Sequence, residues 1–281
     1  MATTKTSKRN WILAAALLWV LLAVYSSYKG DWSWTPVLWI AGFTAFGVGC
    51  WLLEKVAVVA HVILGWALVI VTLYYVMHHV PLYEKELREN YLIFYFHFPS
   101  AITCLTLFVT AGVIGIRQLR SGAPELDLRS ASAIEVGVLA CTVTLTTGMV
   151  WADAAWGRPW VWNDPRLMTV AIMWFTYMAY LMFRLAIDNP STRARFCSIL
   201  GIIFAINVPL VWFAIRLFGK QSHPMSLDFV GQEAVDMSIG KWLAAGSFFI
   251  LYHAIWRLRY LLNRAEAQLE RLDEAFARLK F

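Results

Sequence analysis

Long runs of apolar residues, separated by short polar segments, divide the sequence into eight stretches. Each stretch is close to the roughly 20 residues that an α-helix needs to cross a bilayer. Little more than Glu54 and Lys55 separates the second and third stretches, which predicts a tight helical hairpin. The pattern predicts an all-α, polytopic membrane helix bundle of about eight spans, near residues 11–28, 35–53, 56–77, 92–116, 132–150, 167–186, 196–217 and 239–262.

The composition agrees with a membrane location. Hydrophobic residues make up 60% of the chain, charged residues only 15%, and the mean hydropathy is +0.59. An ordinary globular protein has about a quarter of its residues charged. The net charge of +6 therefore does not indicate a nucleic-acid partner, and its distribution along the chain is more informative than its sum.

Basic residues are unevenly divided between the alternate polar segments. If the N-terminus lies inside, the inner segments hold about twice as many lysines and arginines as the outer ones. Inner loops of membrane proteins carry this excess. The bias predicts a multi-pass protein of the inner (cytoplasmic) membrane, with both termini in the cytoplasm and residues 151–166 facing the periplasm.

The cysteines exclude two classes of protein. None of the four forms a Cys-x-x-Cys pair, so the chain has neither a thioredoxin-like redox motif nor a covalent haem-attachment motif. We interpret them as small packing residues within or at the ends of the spans. They are Cys50, Cys104, Cys141 and Cys197.

The segment 151–166, called here the tryptophan segment, is the most unusual part of the chain. It holds four tryptophans between two apolar spans: Trp151, Trp156, Trp160 and Trp162. Interfacial aromatic residues that anchor a protein in the bilayer would explain one or two of them. They do not explain four, interleaved with Gly157, prolines, acids and arginines. A dense aromatic surface with cationic edges fits a broad, flat ligand that carries carboxylates at one end, and haem is such a ligand.

Charged residues in the tryptophan segment have two interpretations. Arg158 and Arg166 could pair with haem propionates, because a guanidinium binds a carboxylate through two hydrogen bonds. Alternatively Asp153, Asp164 and Arg166 form a local ion pair that only folds the segment.

Two histidines are candidate axial ligands of haem iron, for which neutral imidazole is common. His97, at the outer end of the fourth span, and His223, in the loop before the eighth, lie on the predicted face of the tryptophan segment. For a single histidine, an ordinary structural role would be the better interpretation; their joint placement favours ligation. His78 and His79 share this face but resemble interfacial residues. The remaining pair, inside spans three and eight, is His61 and His253.

Four motifs, in this order, resemble the CcmC family of the system I cytochrome c maturation machinery. They are Tyr-Phe-His-Phe-Pro-Ser-Ala (95–101), Trp-Gly-Arg-Pro-Trp-Val-Trp-Asn-Asp-Pro-Arg-Leu (156–167), Ala-Ile-Asn-Val-Pro-Leu (205–210) and Ser-His-Pro (222–224). The resemblance implies that His97, the tryptophan ("WWD") segment and His223 together hold haem b transiently. It implies a carrier rather than an enzyme, which passes haem to the periplasmic chaperone CcmE and works with CcmA, CcmB and CcmD.

The resemblance also implies a domain organisation. Residues 56–262 correspond to a six-span haem-handling core, and residues 1–55 form an extra two-span extension. Residues 263–281 are predicted to form a cytoplasmic amphipathic helix, which lies on the membrane lipid or docks on a partner. The tryptophan segment departs from the family pattern by one added residue, either Asn163 or Asp164.

Two other classes of haem protein remain as alternatives. A cytochrome c–haem lyase of the CcmF or CcsA type also has a tryptophan segment, and it would use a second histidine pair such as His61 and His253. A b-type electron-transfer subunit would hold haem permanently between histidines inside the spans. A third alternative, from outside the haem proteins, is a small-molecule transporter in which the aromatic residues only anchor the protein at the membrane interface.

Overall fold

The computed structural model describes residue 54 and residues 56–80, 92–218 and 232–279. The chain separates into two compact units, Met1–His61 and Val62–Phe281, and nearly all of the described residues belong to the second. Within the described ranges there is no β-strand, and the helices are α1 (Val58–His79), α2 (Phe94–Ser121), α3 (Pro124–Trp156), α4 (Pro165–Leu185), α5 (Pro190–Ala205), α6 (Asn207–Phe218) and α7 (Gln232–Leu279). The prediction of an all-α fold is confirmed for this part of the chain.

Five helical stretches in the described residues are long and apolar enough to cross a membrane. They are Val58–His79, Phe94–Ser121, Pro124–Trp156, Pro165–Leu185 and Pro190–Val211. The predicted spans at 11–28 and 35–53, and the extension 1–55 that contains them, lie outside the described residues apart from Glu54. The eighth predicted span forms part of α7, whose apolar stretch includes Lys241 and His253 and is therefore less hydrophobic. The chain is a multi-pass membrane protein, and the count of eight spans stays a prediction.

Capping residues explain where the helices begin and end. Asp164 and Asn189 accept hydrogen bonds from the first backbone N–H groups of α4 and α5, and each is followed by proline at the first helical position. This pairing is favoured because proline has no N–H to satisfy and a fixed φ that suits the first turn. Gly122 and Gly157 end α2 and α3 at φ +67° and +66°, in the left-handed region that favours glycine.

The core lies where α2, α3, α4 and α5 meet. The rings of Phe108 and Tyr177 stack at 3.6 Å between centroids, and both side chains are fully buried. Close helix approach depends on small residues: a Cβ on Gly112 would lie 2.9 Å from the Cβ of Ala205. Small residues at such crossings let membrane helices pack by van der Waals contact. Ile206 separates α5 from α6, immediately before the Asn-Val-Pro sequence.

Buried and partly buried polar contacts join the helices at the end where α3 begins. Arg184 of α4 donates two hydrogen bonds, of 2.8 and 2.7 Å, to the carboxylate of Asp127 in α3. Arg259 of α7 pairs with Glu135 of α3, and Asn263 donates to the same carboxylate at 3.2 Å. Buried charges are usually paired in this way, because an unpaired charge is costly. These contacts fix α4 and α7 against α3.

Candidate functional site

The site lies at the opposite end of the bundle, where α2 and α7 begin and α3 ends. Helices α2 and α3 run antiparallel: Ser130 donates to the carbonyl of Ala111 at 3.1 Å near the far end, and His97 meets Thr147 near this one. Helix α7 begins here too, since a Cβ on Gly240 would lie 3.0 Å from the ring of Tyr95. The first turn of α2 and the last turns of α3 therefore form one surface with the start of α4.

His97 lies directly against α3. Its Nδ1 is 3.2 Å from Thr147 Oγ1, and a Cβ on Gly148 would lie 2.9 Å from its Cε1. The Thr147 hydroxyl donates its proton to the Val143 carbonyl at 2.6 Å, so it accepts the Nδ1–H of a neutral His97. In this tautomer the lone pair is on Nε2. A histidine whose other nitrogen is held by a hydrogen bond is the usual arrangement for a metal ligand.

Trp151 and Trp156 belong to helix α3 rather than to a loop. The prediction that all of residues 151–166 lie between two spans is wrong for the first six, because α3 continues to Trp156 and only residues 157–164 connect it to α4. The two rings meet edge to face at 5.3 Å between centroids and 82° between planes. Trp151 follows Thr147 by four residues, so it lies about one helical turn, ~6 Å, beyond the level of His97.

Trp160 and Trp162 form a second edge-to-face pair in the connection between α3 and α4. Their centroids are 6.0 Å apart, with 71° between the planes. Trp162 is 78% exposed. The Nε1 of Trp160 is buried and has no hydrogen-bond partner in the described part of the chain. The four rings therefore form two pairs, not one flat surface.

Gly157 and Arg158 make the turn that leaves α3. The N–H of Gly157 donates to the carbonyl of Asp153 at 2.8 Å, and no other group lies within 4 Å of the position that its Cβ would take. Glycine is required here by the backbone conformation and not by crowding. Arg158 is exposed, so its guanidinium is accessible to an anionic ligand.

Asp164 and Arg166 interact at the start of α4. Asp164 is 5% exposed, and its Oδ1 accepts from the N–H groups of Arg166 and Leu167 at 2.9 and 3.3 Å. Its other oxygen is 3.7 Å from the Arg166 guanidinium. Of the local ion pair that the sequence allowed, the contact between Asp164 and Arg166 is present, and Asp164 holds both the helix start and the arginine in place.

The other candidate histidines are placed differently. His78 and His79 are exposed in the last turn of α1, each against the ring of the tyrosine one turn earlier. His253 is buried in α7, 5.6 Å from the Trp256 ring centroid, and His61 is buried in α1. His223 lies outside the described residues; the flanking helices are α6, ending at Phe218, and α7, beginning at Gln232. No group of three or more His, Cys, Asp and Glu side chains suited to a metal ion occurs among the described residues.

Sequence reasoning missed Thr147 and Gly148, the residues of α3 that hold His97. The only sequence signal is a Thr-Gly pair one turn before Trp151 in an otherwise apolar helix. Small and hydroxyl residues are common at membrane helix contacts of every kind, so this signal does not single out a site.

Similar proteins cover most of the chain. A putative cytochrome c biosynthesis ccmC-like mitochondrial protein of Marchantia polymorpha is 30% identical over 195 residues, which are 68% of this chain and 82% of that protein. Heme exporter protein C of Paracoccus denitrificans is 26% identical over 189 residues, 66% of this chain and 77% of that protein. A shorter match, 33% identical over 113 residues, is to cytochrome c biogenesis protein CcsA of Parasynechococcus marenigrum, covering 40% of this chain and 36% of that protein.

The family model described as CcmC, heme exporter protein C, matches residues 42–273. That range contains the first turn of α2, the tryptophan segment and most of α7. The chain belongs to the CcmC, or heme exporter protein C, family.

Proposed function

We propose that this protein binds haem b at the His97 end of the bundle and passes it to the periplasmic chaperone CcmE during cytochrome c maturation. The observation that carries the proposal is the position of His97, held by Thr147 and Gly148 about one turn from Trp151. The hydrogen bond from Nδ1 orients the ring, and Nε2 is then the nitrogen that would ligate iron. Haem is the cargo and supplies the iron that the imidazole ligates.

His97 and His223 are the two axial ligands in this proposal. Helix α5 runs antiparallel to α2, because Gly115 approaches Ser198 and Gly112 approaches Ala205. Helix α6 continues from α5 towards the end where His97 lies, and α7 starts at that end. The two helices that flank His223 in the sequence, α6 and α7, therefore both have an end on the His97 side of the bundle.

The tryptophans and arginines would contact the rest of the ligand. Aromatic faces and edges provide apolar contact for a porphyrin, and the exposed ring of Trp162 is accessible to it. Arg158 is exposed and would be the first to meet a propionate, and Arg166, whose side chain is 17% exposed, would bind one while Asp164 holds it in place. The carrier must also release haem, and a connection between helices moves more easily than packed spans.

The partners and location proposed next are supported by membership of the family. The sequence contains no Gly-x-x-x-x-Gly-Lys-Ser/Thr motif, so we assign ATP hydrolysis to the transporter subunits CcmA and CcmB, with CcmD as a further subunit. We place the protein in the inner membrane, with both termini in the cytoplasm and the tryptophan segment in the periplasm. In this role it is a carrier and not an enzyme.

The second candidate function is a cytochrome c–haem lyase. The CcsA match and the buried His253 favour it. A lyase would attach haem covalently to an apocytochrome without CcmE, whereas a carrier would load CcmE and leave the apocytochrome unmodified. Incubating the haem-loaded protein with each acceptor, followed by haem staining of denatured samples, separates the two functions.

The ligand assignment is tested with matched histidine variants. His97→Ala should lose most of the haem that copurifies with the protein and shift the absorbance of the remainder, and added imidazole should restore the spectrum. His79→Ala is the control, because His79 is exposed on the last turn of α1. If His97→Ala keeps its haem and its spectrum while His253→Ala loses both, the site proposed here is wrong.

A further inference from the structure

The C-terminal part of α7 carries an apolar stripe that repeats every seven residues. Its positions alternate four and three residues apart, and each side chain on it is exposed. We call it the heptad seam: Leu258, Leu262, Ala265, Leu269, Leu272, Phe276 and Leu279. We propose that this seam pairs with the same seam of a second copy of the chain as a parallel, two-stranded coiled coil.

The seam faces away from the described helix to which α7 is attached. The opposite side of α7 is attached to α3: Trp256 Nε1 donates to the Arg129 carbonyl at 3.2 Å, and Asn263 donates to Ser132 Oγ at 3.0 Å. At 100° per residue, these contacts lie on the other side of the helix from the leucines. The described helices of this chain therefore do not cover the seam.

The shape of α7 argues against a helix that lies on the membrane. Arg264 reaches Glu125, near the start of α3, at 3.5 Å, and residues 265–279 extend about 22 Å beyond that level. After Gly246 the helix contains no glycine or proline, the residues at which sharp kinks occur. Four acidic side chains lie among the basic ones of residues 264–280, unlike the Lys/Arg-rich polar face of helices that bind anionic lipid.

Pairing with a second copy is compatible with the direction of α7 and with the charged residues beside the seam. Two copies in one membrane project their α7 helices in the same direction, so the pairing is parallel. In a parallel coiled coil, the residue that immediately precedes Leu262, Leu269 or Phe276 faces the partner residue five positions further along the sequence. This rule places Gln268 opposite Asp273, which can accept its hydrogen bond, and Leu261 opposite Glu266. No like charges face each other across the seam.

The seam is short, but the membrane anchor of each chain helps the two helices to pair. Three heptads are few for a free peptide. Two helices held upright in the same bilayer meet at a high effective concentration, so a weak contact can be occupied. Ala265 is the smallest side chain in the seam and leaves a gap that limits its strength.

Single cysteines test the proposal in native membranes, in a background with the four natural cysteines replaced by alanine. Leu272→Cys places a thiol in the seam, where the two copies bring identical positions together, within reach of a disulfide. Glu274→Cys is the matched control, two residues away on the outer face. Mild oxidation should convert most of Leu272→Cys to a disulfide dimer and little of Glu274→Cys. Equal yields from both, or a monomer from Leu272→Cys, would overturn the proposal.

A strengthening variant gives an independent readout. Ala265→Leu fills the gap in the seam, so it should increase the dimer yield of Leu272→Cys. A lower or unchanged yield contradicts the parallel register, and cross-linking only to a different protein shows that the seam binds another partner. Haem content reports on folding, because the haem end lies at the other end of the bundle.

Discussion

Gly148→Ala tests whether the contact between α3 and His97 controls haem binding. The new Cβ would lie 2.9 Å from Cε1 of His97 and 3.3 Å from Nδ1. Carbon atoms in good contact are about 3.5–4.0 Å apart, so the imidazole has to move by roughly 0.6 Å or more. The present Nδ1–Oγ1 distance to Thr147 is 3.2 Å, so a shift of that size away from α3 ends the hydrogen bond.

Gly148→Ala should lower the affinity for haem without lowering the stability of the protein. A neutral hydrogen bond contributes about 0.5–1.5 kcal/mol, and removing a group that orients a metal ligand typically costs about 10–100-fold in affinity. We therefore expect haem affinity to fall about tenfold. The helix itself should not suffer, because alanine is favoured over glycine inside a helix by about 0.5–1 kcal/mol. Thermal stability of the protein without haem should be unchanged or slightly higher.

Haem titration of the purified protein, followed by Soret absorbance, measures the change. Gly246→Ala is the control: it makes the same substitution inside α7, and no atom lies within 4 Å of its added Cβ. The reasoning is refuted if Gly148→Ala binds haem as tightly as the unmodified protein. It is also refuted if Gly246→Ala loses as much affinity, because the effect would then come from the membrane helices in general.

Two further predictions address the tryptophan segment. Replacing Trp160 and Trp162 together by alanine should abolish haem transfer to CcmE, measured as chaperone-bound haem, while the protein stays inserted; a normal transfer rate would reduce these residues to interfacial anchors. A cysteine introduced at the exposed Ala154, with the natural cysteines removed, should react with an impermeant thiol reagent from the periplasmic side of intact cells. Reaction only in inverted vesicles would reverse the orientation proposed here.

Local features of the fold were predictable from the sequence. Apolar runs longer than 18 residues predicted the helices that the structure describes, because a membrane helix has to satisfy its backbone internally. Asp164 before Pro165 is a readable helix start, and Gly157 followed by Pro159 is a readable helix end. The tryptophans obscured that second signal, so α3 was predicted to end six residues too early.

The contacts that define the site were not predictable in the same way. His97 and Thr147 are 50 residues apart, and Arg259 and Glu135 are 124 residues apart. Which side chains meet depends on which helices are neighbours and at what rotation, and a single sequence does not encode either in a local pattern. The pairing of His97 with a neighbouring hydroxyl became visible only when α2 and α3 were placed side by side.

The side-chain hydrogen bonds and ion pairs between α4 and α3 lie in the middle of α4 and at its far end, away from the tryptophan segment. The Arg184–Asp127 pair holds one end of α4 to α3, and Trp174 Nε1 holds its middle by donating to Thr142 at 2.8 Å. Beyond Trp174, about 12 Å of helix leads to Arg166 without a further side-chain bond to α3 among those described. We expect that stretch to tilt more easily than the rest of α4, about a pivot at Trp174. A tilt of about 5° there moves the tryptophan end by roughly 1 Å, while the far end stays closed.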